Sequence, residues 1–291
     1  MNERYGGVET GGSWCVCALG AGPGQIEAIE QFPTAEPRET VAGIVDFFAR
    51  HGRPRALGVA GFGPIELDPA AASWGTLGAT PKPGWAGWPL GPALRDALGV
   101  PVVVETDVGA AALAERRWGA GRGCDSLCYL TVGTGIGAGL LHGGAPAHGL
   151  MHPEVGHIRV PHDRGRDPFG GACPFHGDCW EGLAAGPAIA ARWGMAADLL
   201  PDDHPAWELE AEYVALGILA IVLIASPQRV IAGGGVIGRA GLLERVRVRL
   251  PELLAGYPPG PRFAAVSGYV VAPALGDDAG VLGAIALVAP G

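Results

Sequence analysis

The feature that most constrains how this chain can fold is a pattern it uses twice. Residues 5–19 read as a strand, a glycine turn through Gly11, Gly12 and Ser13, and a returning strand; residues 127–141 repeat this through Gly133, Thr134 and Gly135. A hairpin alone in water is marginal and must pack more strands or a helix on its apolar face. Each hairpin is followed by material that can do so. Val41, Ile44, Val45 and Phe48 recur at i, i+3, i+4 and i+7, which predicts an amphipathic helix over 37–51. A third strand over 26–32, strands over 56–60 and 100–104, and helices over 89–98 and 107–118 complete the first half. In the second half, strands over 229–232 and 266–271 alternate with helices over 187–193, 207–225 and 242–250. This weak internal repeat of about 125 residues predicts two similar α/β domains around a central cleft. We place them at 1–108 and 109–278, with a closing helix over 279–291 packing back on the first.

Composition narrows the class. With 48% hydrophobic residues in 291, the chain can bury a sizeable core. Its longest apolar stretch, 216–225, is well short of the roughly 20 residues that span a bilayer, and residues 1–15 lack a signal-peptide pattern, so a cytoplasmic protein without a membrane partner is expected. A net charge of −9 and no cluster of Lys or Arg argue against a nucleic-acid surface. Six Cys are too sparse for a disulfide scaffold. Cys15, Cys17, Cys124 and Cys128 lie in apolar, strand-like runs and read as small buried hydrophobes.

The chemistry concentrates elsewhere. His157, Cys173, His176 and Cys179, flanked by Glu154 and Glu181, have the residue types and spacing to close a four-coordinate Zn2+ site. His162 is a competing ligand or a solvent-exposed side chain. Glycine turns expose backbone N–H groups without Cβ obstruction, and two of them, joined by Gly233, Gly234 and Gly235, suit a polyphosphate. Neither turn is a P-loop, and no Gly-x-Gly-x-x-Gly opens a helix. Asp107 stands at a helix start directly after a strand, where it is either an N-cap or a catalytic carboxylate. The long Pro-rich loop over 61–88 is more often functional than idle, and Trp85, Trp88 and Trp180 either line a ligand site or pack.

Taken in order, GVETGGS at 7–13, FGP at 62–64, TPKPGW at 80–85, TDV at 106–108, LTVGTGIGAG at 130–139, HPEVGH at 152–157, CPFHGDC at 173–179, EGLAAGP at 181–187 and GGG at 233–235 resemble the ROK family of sugar kinases. Within it the chain is most similar to the bacterial zinc-containing fructokinases. The resemblance implies two RNase-H-like domains of the actin-like ATPase fold that take ATP, Mg2+ and a hexose, most readily fructose, and a homodimer. It implies that Asp107 is the general base, that Gly11, Gly12, Ser13, Gly133, Thr134 and Gly135 grip phosphates, and that Glu9 stands near the metal-nucleotide complex. Gly233, Gly234, Gly235 and Pro187 then lie by the nucleotide, and Glu154, His157 and Glu181 contact the sugar. The zinc on His157, Cys173, His176 and Cys179 is implied to be structural.

Two departures stand out: Trp14 occupies a position where the family usually has Lys, and Gly109 one where it usually has Asn. The resemblance therefore implies a fructokinase first, then a broader kinase for mannose or glucose, or a sugar-binding protein that has lost catalysis. The family also contains sugar-sensing regulators with an N-terminal helix-turn-helix, whereas this sequence opens on the glycine hairpin.

Overall fold

The computed structural model describes residues 3–239, 241–257 and 266–290. They form two compact units, one of 1–123, 144–153 and 275–291, the other of 124–143 and 154–274.

The first unit is built on a five-stranded sheet of β1 (Tyr5–Thr10), β2 (Trp14–Gly20), β3 (Ile26–Pro33), β4 (Leu57–Gly61) and β5 (Val102–Thr106), in the order β3-β2-β1-β4-β5. The three strands of the ribbon are antiparallel, and β1, β4 and β5 are parallel. Edge strand β3 alternates between half-buried and exposed residues, whereas the central β4 is buried throughout, as the two positions require. Helix α1 (Pro37–His51) buries Ile44, Phe47 and Phe48 on one face of the sheet. With α2 (Leu90–Leu98) it closes a core that also holds Trp85, Leu90 and Leu94.

The opposite face is covered by α3 (Asp107–Trp118) and by the C-terminal helix α8 (Ala279–Val288). Helix α8 is apolar all round, and its residues from Ala279 to Ile285 are all buried. It lies so close that a Cβ on Gly7 would run into the Val281 carbonyl oxygen, and one on Gly58 into that of Ala284. A Cβ on Gly283 of α8 would in turn overlap the Ala110 backbone of α3. Small residues on all these elements let backbones meet.

The second unit carries β6 (Leu127–Val132), β7 (Ile136–His142), β8 (Val230–Gly233) and β9 (Val270–Val271). Here β6 pairs antiparallel with β7 and parallel with β8, and β9 follows β8 in parallel, which repeats the hairpin-plus-parallel-strands plan of the first unit. Its helices are α4 (Trp180–Ala184), α5 (Gly186–Trp193), α6 (Ala206–Ala225) and α7 (Leu242–Leu254). No helix among the described residues is long and apolar enough to cross a membrane.

Three expectations are corrected. The first unit runs to Gly123, past the expected boundary at 108, because α3 is buried in it. Glu115 of α3, itself fully buried, accepts from the N–H groups of Ala120 at 2.6 Å and Leu275 at 2.9 Å, which ties the chain where it leaves this unit and where it returns. Residues 144–153 also belong to it, since His152 accepts from the Ile65 N–H at 3.1 Å and His148 meets Glu105. Finally, the strand expected over 266–271 is short: Val266–Tyr269 is a helical turn, whose buried Val266 and Tyr269 stand three residues apart on one side.

Because the α8 contact leaves no room for side chains, Gly58→Val should lower stability by about 3 kcal/mol, the upper part of the usual overpacking range. Urea unfolding midpoints with an unchanged slope would measure it.

Candidate active-site residues in each unit

In the first unit the β1–β2 turn closes by a hydrogen bond from the Gly11 N–H to the Trp14 carbonyl at 2.8 Å. The carbonyls along the turn are all occupied. Gly11 accepts the Thr34 hydroxyl at 2.8 Å, Ser13 accepts the Thr34 N–H at 2.9 Å, and Gly12 accepts the Lys82 ammonium at 2.6 Å. The N–H groups of Gly12 and Ser13 have no hydrogen-bond partner among the described residues. A backbone with its acceptors satisfied and donors left over is a surface for an anion. Open space adjoins it, since a Cβ on Gly12 would meet nothing within 4 Å.

Asp107 follows β5 directly. The N-cap of α3 is Thr106, whose hydroxyl accepts from the Gly109 N–H at 3.0 Å, so Asp107 is the first helical residue and is not the cap. Its Oδ1 accepts the Val108 N–H at 2.8 Å. Burial, with a further push from Glu105, raises its carboxyl to about 6. Glu9, at the end of β1, rises to about 7 through burial first and then through the charges of Asp107, Asp278 and Asp277, against a hydrogen bond from the Val281 N–H. Gly280 makes its place, because a Cβ there would overlap the Glu9 carboxyl.

Two residues that the sequence did not single out stand beside Asp107. Glu105 is buried; its Oε1 accepts the Thr106 N–H at 2.8 Å, and its carboxylate lies 3.1 Å from His148 Nε2. The contact with Glu105 raises the His148 pKa. The signal was Gly109, one turn after Glu105: a Cβ at 109 would lie 2.5 Å from Glu105 Oε1. A carboxylate from the preceding strand fills the space that a side chain at 109 would take.

In the second unit the β6–β7 turn is tighter than the first, closing around one residue where the first closes around two. Gly133 donates to Gly135 at 2.9 Å, and its own carbonyl accepts the Gly186 N–H at 2.8 Å. Among the described residues the N–H groups of Thr134 and Gly135 have no partner. Glu181 Oε2 accepts the Ile136 N–H at 3.0 Å and would stand 2.7 Å from a Cβ on Gly135. Gly234, at φ 99°, passes so close to β6 that a Cβ would be 2.6 Å from the Val132 carbonyl oxygen, and the Gly235 nitrogen is 3.6 Å from where a Cβ on Gly133 would be. The structure therefore gathers Gly133, Thr134, Gly135, Glu181, Gly186, Gly234 and Gly235 in one place, with Pro187 exposed at the start of α5.

Next to them lies the Cys/His group. One donor atom from each of His157, Cys173, His176 and Cys179 falls within 4.8 Å of the others. Cys173 Sγ is 3.8 Å from both His157 Nδ1 and His176 Nδ1, and Cys179 Sγ is 3.6 Å from His157 Nδ1. A tetrahedron with metal–sulfur bonds of about 2.3 Å and metal–nitrogen bonds of about 2.0–2.1 Å has S···N edges of about 3.6 Å, so the donor set fits such an ion. His157 sits in a one-turn helix over Val155–His157 whose opening carbonyl is that of Glu154, and both side chains are half-buried. Cys179 and Glu181 flank Trp180, which is fully buried where Gly217 of α6 leaves a notch for its ring.

Trp180 and Trp85 are thus core residues and line no ligand site; the Trp85 indole donates to the Ala35 carbonyl at 3.0 Å. His162 is neither a fifth ligand of this group nor exposed: its side chain is 6% accessible and lies between Asp167 and Asp178.

Comparison with known proteins agrees along the whole chain. Residues 5–290 match the family described as the ROK family. A fructokinase of Zymomonas mobilis is 41% identical over 294 residues, covering 97% of this chain and 95% of its own length. A fructokinase of Streptococcus mutans is 37% identical over 291 residues, covering 99% and 98%. Among solved structures, a ROK family glucokinase from Streptomyces griseus in complex with glucose and AMPPNP superposes with a TM-score of 0.76 at 28% identity, covering 98% of each chain.

Two predictions follow the geometry. Glu9 and Asp107 bind protons more tightly folded (about 7 and about 6) than at their ordinary values of 4.5 and 3.8. Their effect on folding is favourable below the ordinary values and is lost as pH rises through about 6 to 7. Glu9→Gln or Asp107→Asn should therefore raise stability at pH 8 by about 1–3 kcal/mol and much less at pH 4, read by urea unfolding at both pH values. Replacing both Cys173 and Cys179 by Ser should abolish bound metal in elemental analysis; undiminished zinc in that variant would place the ion elsewhere.

Proposed function

The chain belongs to the ROK family, and we propose that it is an ATP-dependent sugar kinase acting on fructose, with transfer of the γ-phosphoryl group to the 6-hydroxyl. The observation that carries this is the pair of glycine turns with N–H groups left over: the carbonyls of Gly11, Gly12 and Ser13 are taken at the first, and those of Gly133 and Gly135 at the second. The turns supply fixed donors for phosphate oxygens, and phosphoryl transfer is mostly positioning and charge stabilisation.

Asp107 is the base in this reading. Its carboxyl is freed from capping by Thr106 and, at about 6, is ionised at neutral pH yet close enough to neutrality to take a proton. The hydroxyl proton passes to Asp107 while the sugar oxygen bonds to phosphorus and the bond to the ADP oxygen breaks. Mg2+ bound with ATP would offset the phosphate charge. The carboxylates of Asp107, Asp277 and Asp278 around Glu9 would favour such a cation, and Glu9 is our candidate to stand beside it.

Glu154, His157 and Glu181 are assigned to the sugar. Carboxylates accept from hydroxyls, and a His with Nδ1 turned to the sulfurs keeps Nε2 for a hydroxyl. Zinc on His157, Cys173, His176 and Cys179 would be structural, since four protein donors complete its shell. Its part is to fix the ring of His157.

Asp107→Asn should lower kcat by about 100- to 10,000-fold with little change in ATP affinity. For the parent chain, kcat/KM should fall as pH drops below about 6, as Asp107 takes up its proton. Fructose should give a higher kcat/KM than mannose, glucose or N-acetylmannosamine. Full turnover in the Asn variant would remove Asp107 as base, and no turnover with any sugar would favour a sugar-binding protein without catalysis.

A further inference from the structure

The first glycine turn has no cation of its own. Residues 5–33, the whole β1–β3 ribbon, contain no Lys, Arg or His, while Glu9, Glu27 and Glu30 make the ribbon acidic. A triphosphate held there would meet donors but no compensating charge. Yet Lys82, the only lysine in the chain, brings its ammonium to this turn. It donates to the Gly12 carbonyl at 2.6 Å and to the Thr34 carbonyl at 3.1 Å. The loop that delivers it is anchored three residues on by Trp85, which is fully buried and bonded to the Ala35 carbonyl.

The peptide between Gly12 and Ser13 explains what this contact can do. A trans peptide is planar, with its C=O and N–H pointing in opposite directions. A cation on the Gly12 oxygen therefore turns the Ser13 N–H away from itself. It also deepens the polarisation of a unit that already has a dipole of about 3.5 D. The Ser13 N–H is one of the two donors with no partner among the described residues.

We propose that Lys82 is a positioning residue for the nucleotide triphosphate: it clamps and charges the Gly12–Ser13 peptide so that the Ser13 N–H is presented to a phosphate oxygen. This rests on the reading of the turn as a phosphate grip. It supplies from a distant loop the positive charge that a lysine inside the turn would otherwise bring.

The test separates charge from packing and from the underlying reading. On the full chain, binding of ATP-Mg2+, of inorganic triphosphate and of fructose is measured by calorimetry, with melting temperatures alongside. Lys82→Gln, which can still donate to a carbonyl, should weaken both phosphate ligands about tenfold, the size of one charge-assisted contact, and leave fructose unchanged. Lys82→Arg should stay within about twofold of the parent. If Gln binds triphosphate as well as the parent, or if Arg loses as much as Gln, the proposal is wrong. Should Gln fail to fold, chemistry on the folded parent replaces it, because Lys82 is the only side-chain amine. Acetylation, which removes the charge, should then reproduce the tenfold loss, and reductive dimethylation, which keeps it, should not; equal effects would overturn the proposal. Gly12→Leu, whose side chain would enter open space, provides the remaining control. If it weakens triphosphate binding while Lys82→Gln does not, only the role of Lys82 fails. If it too leaves binding intact, the turn is not a phosphate grip.

Discussion

The first unit depends on the backbone-to-backbone contact of its C-terminal helix. Gly7 on β1, Gly58 on β4 and Ala110 on α3 give up side-chain volume so that α8 can lie directly on them. That contact recruits the last residues of the chain into the first unit. It also brings Gly280 and the Val281 N–H against Glu9, and it holds α3, with Asp107 at its first position, on the same sheet. Burial of the two carboxylates is thus a consequence of helix packing, and their raised proton affinity is a consequence of burial. Charge kept partly out of water costs stability.

Both glycine turns share a second device. Glycine is needed less for its freedom of φ, which neither Gly11 nor Gly12 exploits, than for the space its missing side chain leaves in front of the N–H groups. What makes those N–H groups available is the satisfaction of the carbonyls by Thr34, Lys82 and Gly186. In the second unit, Glu181 links this device to the Cys/His group: one of its oxygens receives the Ile136 N–H, and it sits two residues after Cys179 on a helix pinned by Trp180. A metal held by the Cys/His group would fix the loop that ends at Cys179 and so steady the start of that helix.

Much of the fold was legible because it is written in local periodicity. The helix over 37–51 appears at the bounds its apolar spacing indicated, and the helix over 107–118 at the bounds expected for it. His157, Cys173, His176 and Cys179 stand out by residue type and spacing alone, and the structure brings one donor atom of each within 4.8 Å of the others. The turn at 266–269 was misread as strand because a short apolar run does not distinguish the two, and only the joint burial of Val266 and Tyr269 settles it. The place of Glu105 was hidden for a related reason. Its partners, Thr106, Gly109 and His148, matter only once the last of these is folded against it.

The sequence by itself determined most of the strands, helices and turns, and which chemical groups the chain can offer, since these follow from neighbours within a few positions. Tertiary structure alone decided that residues 144–153 join the first unit, that Trp85 and Trp180 pack in cores, and that His162 lies between two carboxylates. It also decided that Lys82 serves a turn seventy positions away, at Gly12. The physical reason is the same in each case. Burial, and hydrogen bonds between distant segments, depend on which surfaces are brought together in space, and no local spacing records that.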